Sequence, residues 1–201
     1  MLRFIGNQFR KPTGFFGKII SGIMIKGNSR EYDKIIPELE VNQKDNILEI
    51  GYGHGVGVDR IASNFDCKVS GIDFSELMFR EASKRNKKHI DNQKVELHYG
   101  DFLNSEMIPN QYDKILCLNV IYFWDKLDEP FSKIQSGLKE GGLFCIYMAH
   151  RDDLTKVRFA KDGIFNKYSI GQVIDHLKFS GFDCLFQPKS IPVDHSKSIP
   201  F

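Results

Sequence analysis

Three glycines alternate with larger residues directly after a predicted buried strand. Ile47 to Ile50 has the composition of the strand, Gly51, Gly53 and Gly55 follow it, and Val56 to Phe65 has the apolar spacing of a helix. Glycine permits positive φ and lets the backbone approach a ligand closely, and the free N–H groups of the following helix offer a partial positive charge. The stretch therefore predicts a ligand site on an α/β sheet.

The spacing of these glycines does not fit the dinucleotide fingerprint G-x-G-x-x-G. Counting from Gly51 the sixth position is Val56, and counting from Gly53 it is Val58. The chain has instead the pattern E-x-G-x-G-x-G, which begins at Glu49. A glutamate in a buried strand needs hydrogen-bond partners, so Glu49 is expected to find them in the loop. Two alternatives stay open: a bracing role for Glu49 alone, and a glycine-rich turn that binds nothing.

The length of the chain suits one α/β domain with an N-terminal extension, because 201 residues are enough for one full core and few for two. The net charge of +2 indicates little about partners. Its distribution indicates more: residues 1–30 hold six Lys or Arg and no Asp or Glu, and the remainder holds 22 basic against 26 acidic side chains. We predict a helical extension or lid over residues 1–40 and a ligand-binding domain over residues 41–201.

The cysteines and the apolar runs restrict the class of protein further. The four cysteines lie far apart in or beside apolar runs, without the Cys/His spacing of a zinc site, so reduced core cysteines and no metal are expected. No apolar run has the length of a signal peptide or of a membrane span. A cytoplasmic location is the expectation that follows.

The N-terminal extension is predicted to contain two helices. Residues 15–25 carry apolar side chains at helical spacing among basic ones, which is typical of a basic amphipathic helix, and Ser29 can cap a second helix that reaches Leu39. Three interpretations are open. The helices pack on the sheet edge, they form a lid over a substrate pocket, or the basic helix contacts anionic lipid or nucleic acid.

The second predicted strand, Lys68 to Asp73, ends in an acid. Asp73 lies 22 residues after Gly51, close to the spacing at which a carboxylate accepts hydrogen bonds from both ribose hydroxyls. The alternative is that Asp73 caps the next helix, predicted over Glu76 to Lys88, although Ser75 could serve there instead.

The third predicted strand, Val95 to Tyr99, leads into Gly100, Asp101 and Phe102. At the end of a parallel strand, the acid could accept a hydrogen bond from an exocyclic amine while the aromatic ring packs against a base. A simple turn is the alternative.

A polar and aromatic cluster ends the fourth predicted strand, Tyr112 to Tyr122. Its members are Asn119, Tyr122, Phe123, Trp124 and Asp125. Open parallel sheets bind ligands at this edge, and the aromatic residues either line a pocket or belong to the core. A helix from Pro130 to Gly141-Gly142 and a fifth strand, Leu143 to Ala149, follow.

The remaining signals extend the same alternation of strands and helices. A capping box at Ser169 and Gln172 begins a helix that Gly181 closes, and Asp183 to Phe186 is predicted as a sixth strand. Alternating strands and helices indicate an α/β fold with a doubly wound, mostly parallel sheet.

The succession of these signals over about 140 residues resembles the class I methyltransferases that use S-adenosylmethionine. The resemblance implies a Rossmann-like sheet, S-adenosylmethionine as cofactor, and a methyltransferase domain over residues 41–201. Asp73 would accept from the ribose, and Asp101 and Phe102 would take the adenine. Glu49 and Gly51 to Gly55 would form the loop under the methionine part, and Asn119 and Val120 would line the methionine side through their backbone. The implied cofactor-binding residues are Glu49, Gly51, Tyr52, Gly53, His54, Gly55, Asp73, Phe74, Met78, Gly100, Asp101, Phe102, Asn119 and Val120.

The chain departs from the family pattern at several places. Residues 119–122 are N-V-I-Y and not the N-P-P-Y of enzymes that methylate exocyclic amines of adenine or the amide of glutamine, which argues against those substrates. Glu140 replaces the proline of the family's L-K-P-G-G turn. No Pro-Cys pair follows the fourth strand, which argues against a covalent cytosine mechanism. No seventh strand is predicted before Phe201.

The predicted function is direct in-line methyl transfer to a small-molecule or lipid-like acceptor. His54, Tyr122 and His150 fall at the predicted carboxyl edge of the sheet, where they could assist or orient the acceptor. Two alternatives are an RNA methyltransferase, which the confinement of basic residues to the extension disfavours, and a non-catalytic nucleotide-binding or interaction protein of the same fold. The basic N-terminal helix also suggests peripheral membrane contact.

Overall fold

A computed structural model describes residues 10, 11, 13, 29–156 and 165–183, and within them five parallel strands form one sheet with helices on both faces. The strands are β1 (Asn46–Ile50), β2 (Lys68–Asp73), β3 (Val95–Tyr99), β4 (Tyr112–Leu118) and β5 (Leu138–Tyr147). The helices are α1 (29–38), α2 (Val56–Asn64), α3 (Glu76–Arg85), α4 (Lys87–Asp91), α5 (Asp128–Gly137), α6 (Arg151–Lys156) and α7 (Ile170–Phe179). Two short 3-10 helices lie at Phe102–Asn104 and Ile121–Phe123.

The strand order is β3-β2-β1-β4-β5, and every neighbouring pair is parallel. Ile50 at the end of β1 pairs with Ile72 of β2 on one side and with Cys117 of β4 on the other. The strand order reverses between β1 and β4, which leaves a crevice beyond the carboxyl ends of these two strands. The α/β, doubly wound, Rossmann-like fold predicted from the sequence is confirmed.

Each face of the sheet carries its own hydrophobic core. Alternate residues of β4 point to opposite faces, so Ile115 packs with Phe131 of α5, while Leu116 packs in the cluster that contains Ile61 of α2 and Leu39. The buried residues Tyr32 and Ile35 place α1 in this second core as well. The described helix of the N-terminal extension is therefore packed on the domain, and a domain boundary at residue 40 stays a prediction.

Several predicted element ends were wrong. The fifth strand, predicted over Leu143 to Ala149, spans Leu138–Tyr147, and the helix predicted from Pro130 begins at Asp128. β4 stops at Leu118 because Asn119 takes a left-handed conformation (φ 58°) that ends the extended backbone. The helix predicted to run to Lys88 ends at Arg85, where Asn86 is buried and caps it. α5 ends at Gly137 instead of Gly141-Gly142, because β5 already pairs with β4 from Leu138 and continues after a register shift.

Several expectations fall outside the described residues. The basic amphipathic helix at residues 15–25 is among them, and so is the sixth strand apart from Asp183. Of the cysteines, Cys67, Cys117 and Cys145 are free thiols. In the part of the chain that the structure describes, no helix is long and apolar enough to cross a membrane, and no three His, Cys, Asp or Glu side chains are grouped to hold a metal ion.

Candidate functional site

A cavity opens at the carboxyl ends of β1 to β4, where the glycine loop meets the segments after the other three strands. Four stretches that are far apart in the sequence come together there, as the motifs predicted. The predicted residues in the lining are Gly51, Tyr52, Gly53, His54, Asp73, Phe74, Met78, Gly100, Asp101, Phe102, Asn119 and Val120. Glu49 and Gly55 lie outside the lining.

The glycine loop has the backbone conformation that its sequence predicts. Gly51, Gly53 and Gly55 all have positive φ, at 72°, 52° and 69°. A Cβ on Gly51 would lie 2.4 Å from Cγ2 of Val120, so the close approach of the loop to the segment after β4 requires a glycine there. The Gly51 N–H donates to the carbonyl of Ile72 (2.8 Å), which fixes the start of the loop to the neighbouring strand.

The far side of the loop is held by the end of α3. Arg85 Nε donates to the carbonyl of His54 (3.0 Å), and Asn86 Nδ2 donates to the carbonyl of Gly55 (3.1 Å). On the same helix, Glu81 Oε1 lies 3.5 Å from Lys84 Nζ. Gly55 thus supports the site from outside the cavity.

Asp73 bridges the loop and the start of α3. Its Oδ2 accepts from the Gly53 N–H (2.9 Å) and its Oδ1 accepts from the Ser75 N–H (2.8 Å). Burial raises the pKa of Asp73 to about 6, although both backbone hydrogen bonds act to lower it. Capping of α3 falls to Ser75, whose hydroxyl accepts from the Met78 N–H. Asp73 is therefore not the cap of α3. The carboxylate of Asp73 lines the cavity and can accept further hydrogen bonds there.

Asp101 combines the two roles that the sequence left open. It caps the short 3-10 turn after β3, since its Oδ1 accepts from the Leu103 N–H (3.0 Å) and its Oδ2 from Asn104 Nδ2 (3.1 Å). Its carboxylate is also exposed and in the cavity lining, beside the buried ring of Phe102. From this position the Asp101 carboxylate could accept a hydrogen bond from the adenine amine, and this role stays a prediction.

Glu49 is fully buried and pairs with a tyrosine that the sequence did not single out. Its side chain is 0% exposed, and its Oε1 accepts from the Tyr32 hydroxyl at 2.5 Å. Gly57 makes room for the carboxylate, because a Cβ there would lie 2.6 Å from Oε2. Burial raises the pKa of Glu49 to about 8, against the lowering effect of the Tyr32 hydrogen bond. Tyr32 itself lines the cavity.

The raised pKa of Glu49 makes folding stability depend on pH. The folded state binds this proton more tightly than the unfolded state, whose pKa is near 4.5, so stability from this group is lost as pH rises from about 4.5 to 8. We expect Glu49→Gln to gain stability relative to wild type by roughly 1.4 kcal/mol per pH unit in that window. Denaturant unfolding at several pH values measures the difference. Glu96→Gln, at an exposed glutamate, is the matched control. A Glu49→Gln difference from wild type that does not grow with pH beyond that of the control would contradict the assignment.

Asn119 is fixed by side chains from two directions. Its Nδ2 donates to Glu31 Oε2 of α1 (2.7 Å), and its Oδ1 accepts from the Tyr122 hydroxyl (3.1 Å). Burial raises the pKa of Glu31. The Asn119 N–H donates to the carbonyl of Tyr147 (2.9 Å), and Asn119 lines the cavity next to Val120.

The three predicted acid-base residues occupy different environments. His54 lines the cavity, and burial and Arg85 lower its pKa, which favours the neutral imidazole. Tyr122 lies outside the lining, buried, and its hydroxyl accepts from the Ala149 N–H. His150 is exposed and also outside the lining, and its Nδ1 accepts from the Asp152 N–H (3.3 Å). A role in transfer stays a prediction for each, and of the three His54 has the position for it.

The side of the cavity next to Val120 is apolar. Phe123 and Trp124, predicted to line a pocket or join the core, do both: they line the cavity, and Trp124 is buried in the core. The Phe123 ring packs against Phe165 at 5.1 Å between centroids. Leu103 completes this wall.

Sequence reasoning missed seven lining residues: Arg10, Tyr32, Ile50, Val56, Ile72, Leu103 and Leu118. Ile50, Ile72 and Leu118 were assigned to strands and Val56 to a helix, without a role in the site. Tyr32 was placed on a helix, but nothing in its spacing indicated a bond to Glu49. Leu103 directly follows the Asp101-Phe102 pair, so a wider window around that pair would have included it. Arg10 has no signal beyond the basic character of the extension.

The strand order, the glycine loop after β1 and the acidic residue at the end of β2 define a nucleotide-binding α/β protein of the class I methyltransferase type. A family model described as a methyltransferase domain matches residues 47–142. Together with the relatives and solved structures described next, this match supports a class I S-adenosylmethionine-dependent methyltransferase.

Known relatives and solved structures agree with this family. Over 168 residues the chain is 26% identical to a sterol 24-C-methyltransferase of Candida albicans, covering 78% of this chain and 45% of the relative. It is 27% identical over 136 residues to the uncharacterized methyltransferase YdaC of Bacillus subtilis, covering 67% of this chain and 73% of the relative. Phosphoethanolamine N-methyltransferase 2 of Haemonchus contortus, in complex with S-adenosyl-L-methionine, superposes with a TM-score of 0.65 and 25% identity, covering 76% of this chain and 36% of that chain. The chain spans about half the length of the sterol methyltransferases it matches.

Proposed function

We propose that this protein transfers the methyl group of S-adenosylmethionine to a small, lipid-like acceptor by direct in-line displacement. The proposal is supported by one cavity whose lining contains a polar set of residues and an apolar set, named here its polar half and its apolar half. The polar half contains the glycine loop with Asp73 and Asp101, and the apolar half contains Val120, Phe123 and Trp124.

The polar half has the groups needed to hold the cofactor. Asp73 is held by two backbone N–H groups and retains acceptor capacity for the ribose hydroxyls. Asp101 is available to the exocyclic amine and Phe102 to the adenine ring. The bound cofactor supplies an electrophilic methyl on a sulfonium with a neutral leaving group. The residues around it then need to hold the acceptor in line and keep water out.

The apolar half suits an acceptor of low polarity. Phe123 and Trp124 offer aromatic surface next to the backbone of Asn119 and Val120, where the resemblance places the methionine side. His54 lines the cavity and is the described group best placed to take a proton if the acceptor must lose one.

The relatives support the same class of acceptor. Several curated matches are sterol 24-C-methyltransferases, whose names state a sterol acceptor. Identities of 24 to 28% and the partial coverage of those relatives leave the particular acceptor open, so the proposal extends to lipid-like molecules as a class.

The test is a methyl-transfer assay with radiolabelled S-adenosylmethionine. Sterols, isoprenoid lipids and quinones, small amines, and RNA are offered as separate acceptor classes. We expect label in an apolar acceptor. Label in RNA alone would overturn the lipid-like assignment, and cofactor binding without label in any acceptor would favour a binding protein.

A matched pair of phenylalanines tests the apolar wall. Phe123→Ala should raise the KM for the apolar acceptor by roughly tenfold, because a large part of a Phe side chain's burial is lost. Phe179, 80% exposed on α7, is the control, and Phe179→Ala should leave the KM unchanged. Equal KM values for both variants would place the acceptor elsewhere.

A further inference from the structure

One lysine outside the cavity donates to three backbone carbonyls of the turn after β3. Lys133 on α5 places Nζ 2.6 Å from the carbonyl of Phe102 and 3.0 Å from that of Leu103, and it also donates to the carbonyl of Ser105. An ammonium has three N–H donors, so these bonds use all of them. α5 and the turn are separated by about 30 residues in the sequence, and the contact is purely tertiary.

The ammonium of Lys133 lies in an environment that strengthens its hydrogen bonds to the turn. Lys133 is half-buried, and its Nζ lies 5.0 Å from the centroid of the Phe102 ring, within range of a cation–π interaction. Burial lowers the pKa of Lys133, while the negative charge of Asp101 raises it. Hydrogen bonds from a charged donor are the stronger kind, and they strengthen further where solvent is partly excluded.

The turn held in this way carries three residues of the cavity: Asp101, Phe102 and Leu103. Asp101 caps the turn from its beginning, and the Ser105 hydroxyl donates to the Phe102 carbonyl (2.8 Å) at its end. Lys133 ties the backbone of this turn to α5. The ring of Phe102 is also held by packing against Trp124, at 6.0 Å between centroids, whereas the carboxylate of Asp101 has hydrogen bonds within the turn.

We propose that Lys133 is a positioning residue for the adenine end of the cofactor site, acting through the turn of residues 101–105. The proposal rests on the proposed function, because it takes the cavity to be the S-adenosylmethionine site. Lys133 contacts backbone carbonyls of the turn and does not itself line the cavity. Its effect is therefore on the geometry with which Asp101 and Phe102 meet the base.

The test compares Lys133→Met with wild type in titrations of S-adenosylhomocysteine and S-inosylhomocysteine. The inosyl compound has a carbonyl where adenine has its exocyclic amine, so the ratio of the two affinities reports how well Asp101 reads that amine. Methionine keeps most of the aliphatic stem and removes the ammonium. We expect about tenfold weaker binding of S-adenosylhomocysteine and a smaller ratio of the two affinities. Lys133→Arg, which restores charged donors, should recover part of the affinity for S-adenosylhomocysteine and part of the ratio.

Lys94 provides a matched control. Its Nζ also bridges backbone carbonyls, those of Ala62 and Phe65, both at 2.6 Å, and it precedes β3 at the opposite end of the strand from the cavity. Lys94→Met should lower the melting temperature about as much as Lys133→Met and leave both affinities unchanged. If Lys133→Met does not fold, Lys133→Gln, which keeps one amide donor group, takes its place.

The outcomes separate the two proposals. If Lys133→Met binds S-adenosylhomocysteine as tightly as wild type, with the same ratio of adenosyl to inosyl affinity, the role of Lys133 is overturned and the proposed function stays intact. Equal weakening of both compounds, with the ratio unchanged, would also overturn it, because a general loss of structure has that effect. If wild type binds neither compound, the proposed function fails and the role of Lys133 fails with it.

Discussion

Asp73→Ala is expected to weaken S-adenosylhomocysteine binding by at least about 100-fold. The carboxylate accepts the N–H groups of Gly53 and Ser75 from buried positions, and the variant leaves both donors without this partner as well as removing the ribose acceptor. The loss therefore combines a missing ligand contact with a loosened glycine loop. Isothermal titration of the two proteins measures it.

Asp113 is the matched control for this substitution. Its Oδ2 also accepts a backbone N–H of a neighbouring segment, that of Asn46 (2.8 Å), together with Lys139 Nζ (2.7 Å). It lies at the beginning of β4, at the opposite end of the sheet from the cavity. Asp113→Ala should lose stability and keep its affinity for S-adenosylhomocysteine. Equal affinities in Asp73→Ala and wild type would mean that Asp73 does not touch the cofactor.

The protonation of Asp73 adds a pH dependence to the same measurement. Its pKa in the folded protein is about 6, so the charged acceptor is present above that pH and is lost as pH falls through it. Affinity should decrease by up to about tenfold per pH unit below pH 6. In the folded protein the carboxyl of Glu49 has a pKa of about 8, so its change of charge lies above that of Asp73. Asp73→Asn should bind weakly at every pH between 5 and 8, without this slope.

Gly51→Ala is the second substitution with a large expected effect. A Cβ at residue 51 meets Val120 Cγ2 at 2.4 Å and also requires positive φ. We expect the loop or the segment after β4 to shift, with a loss of roughly 2 to 4 kcal/mol in the free energy of unfolding and no measurable cofactor binding. Denaturant unfolding and titration together measure the two effects.

Gly141→Ala isolates the conformational part of that penalty. Gly141 has nearly the same φ, 71°, but a Cβ there has no heavy atom within 4 Å, and the residue lies outside the cavity lining. The control should lose only about 1 to 2 kcal/mol and keep its affinity. If both variants lose the same stability and both bind the cofactor, the close approach of residue 51 to Val120 is not a functional constraint.

The parts of the site that follow from backbone rules were predictable from the sequence. Gly51 and Gly53 signal a sharp turn between strand and helix, and Asp73 ends the adjacent strand. Because carboxyl ends of parallel strands meet at one edge, local motifs sufficed to bring these residues together before any contact was known. The same rule placed Asp101 and Asn119 correctly in the cavity lining.

Contacts between distant side chains were not predictable in the same way. Tyr32 and Glu49 are 17 residues apart on different elements, and no periodicity encodes their hydrogen bond. Lys133 looks like any solvated lysine on an amphipathic helix until the carbonyls of residues 102–105 are placed beside it. Tyr122 was predicted at the correct edge, but it lies outside the lining, and its hydroxyl donates to Asn119 Oδ1 and accepts from the Ala149 N–H after β5. Proximity to an edge does not determine the direction of a side chain.

Calorimetric titration of the wild-type protein with S-adenosylmethionine, S-adenosylhomocysteine and NAD tests directly whether the protein binds S-adenosylmethionine. We predict saturable binding of both adenosyl compounds at one site and no binding of NAD, because the glycine spacing departs from the dinucleotide fingerprint. Binding of NAD without either adenosyl compound would contradict the account. If none of the three compounds binds, the proposal of an S-adenosylmethionine site is contradicted as well.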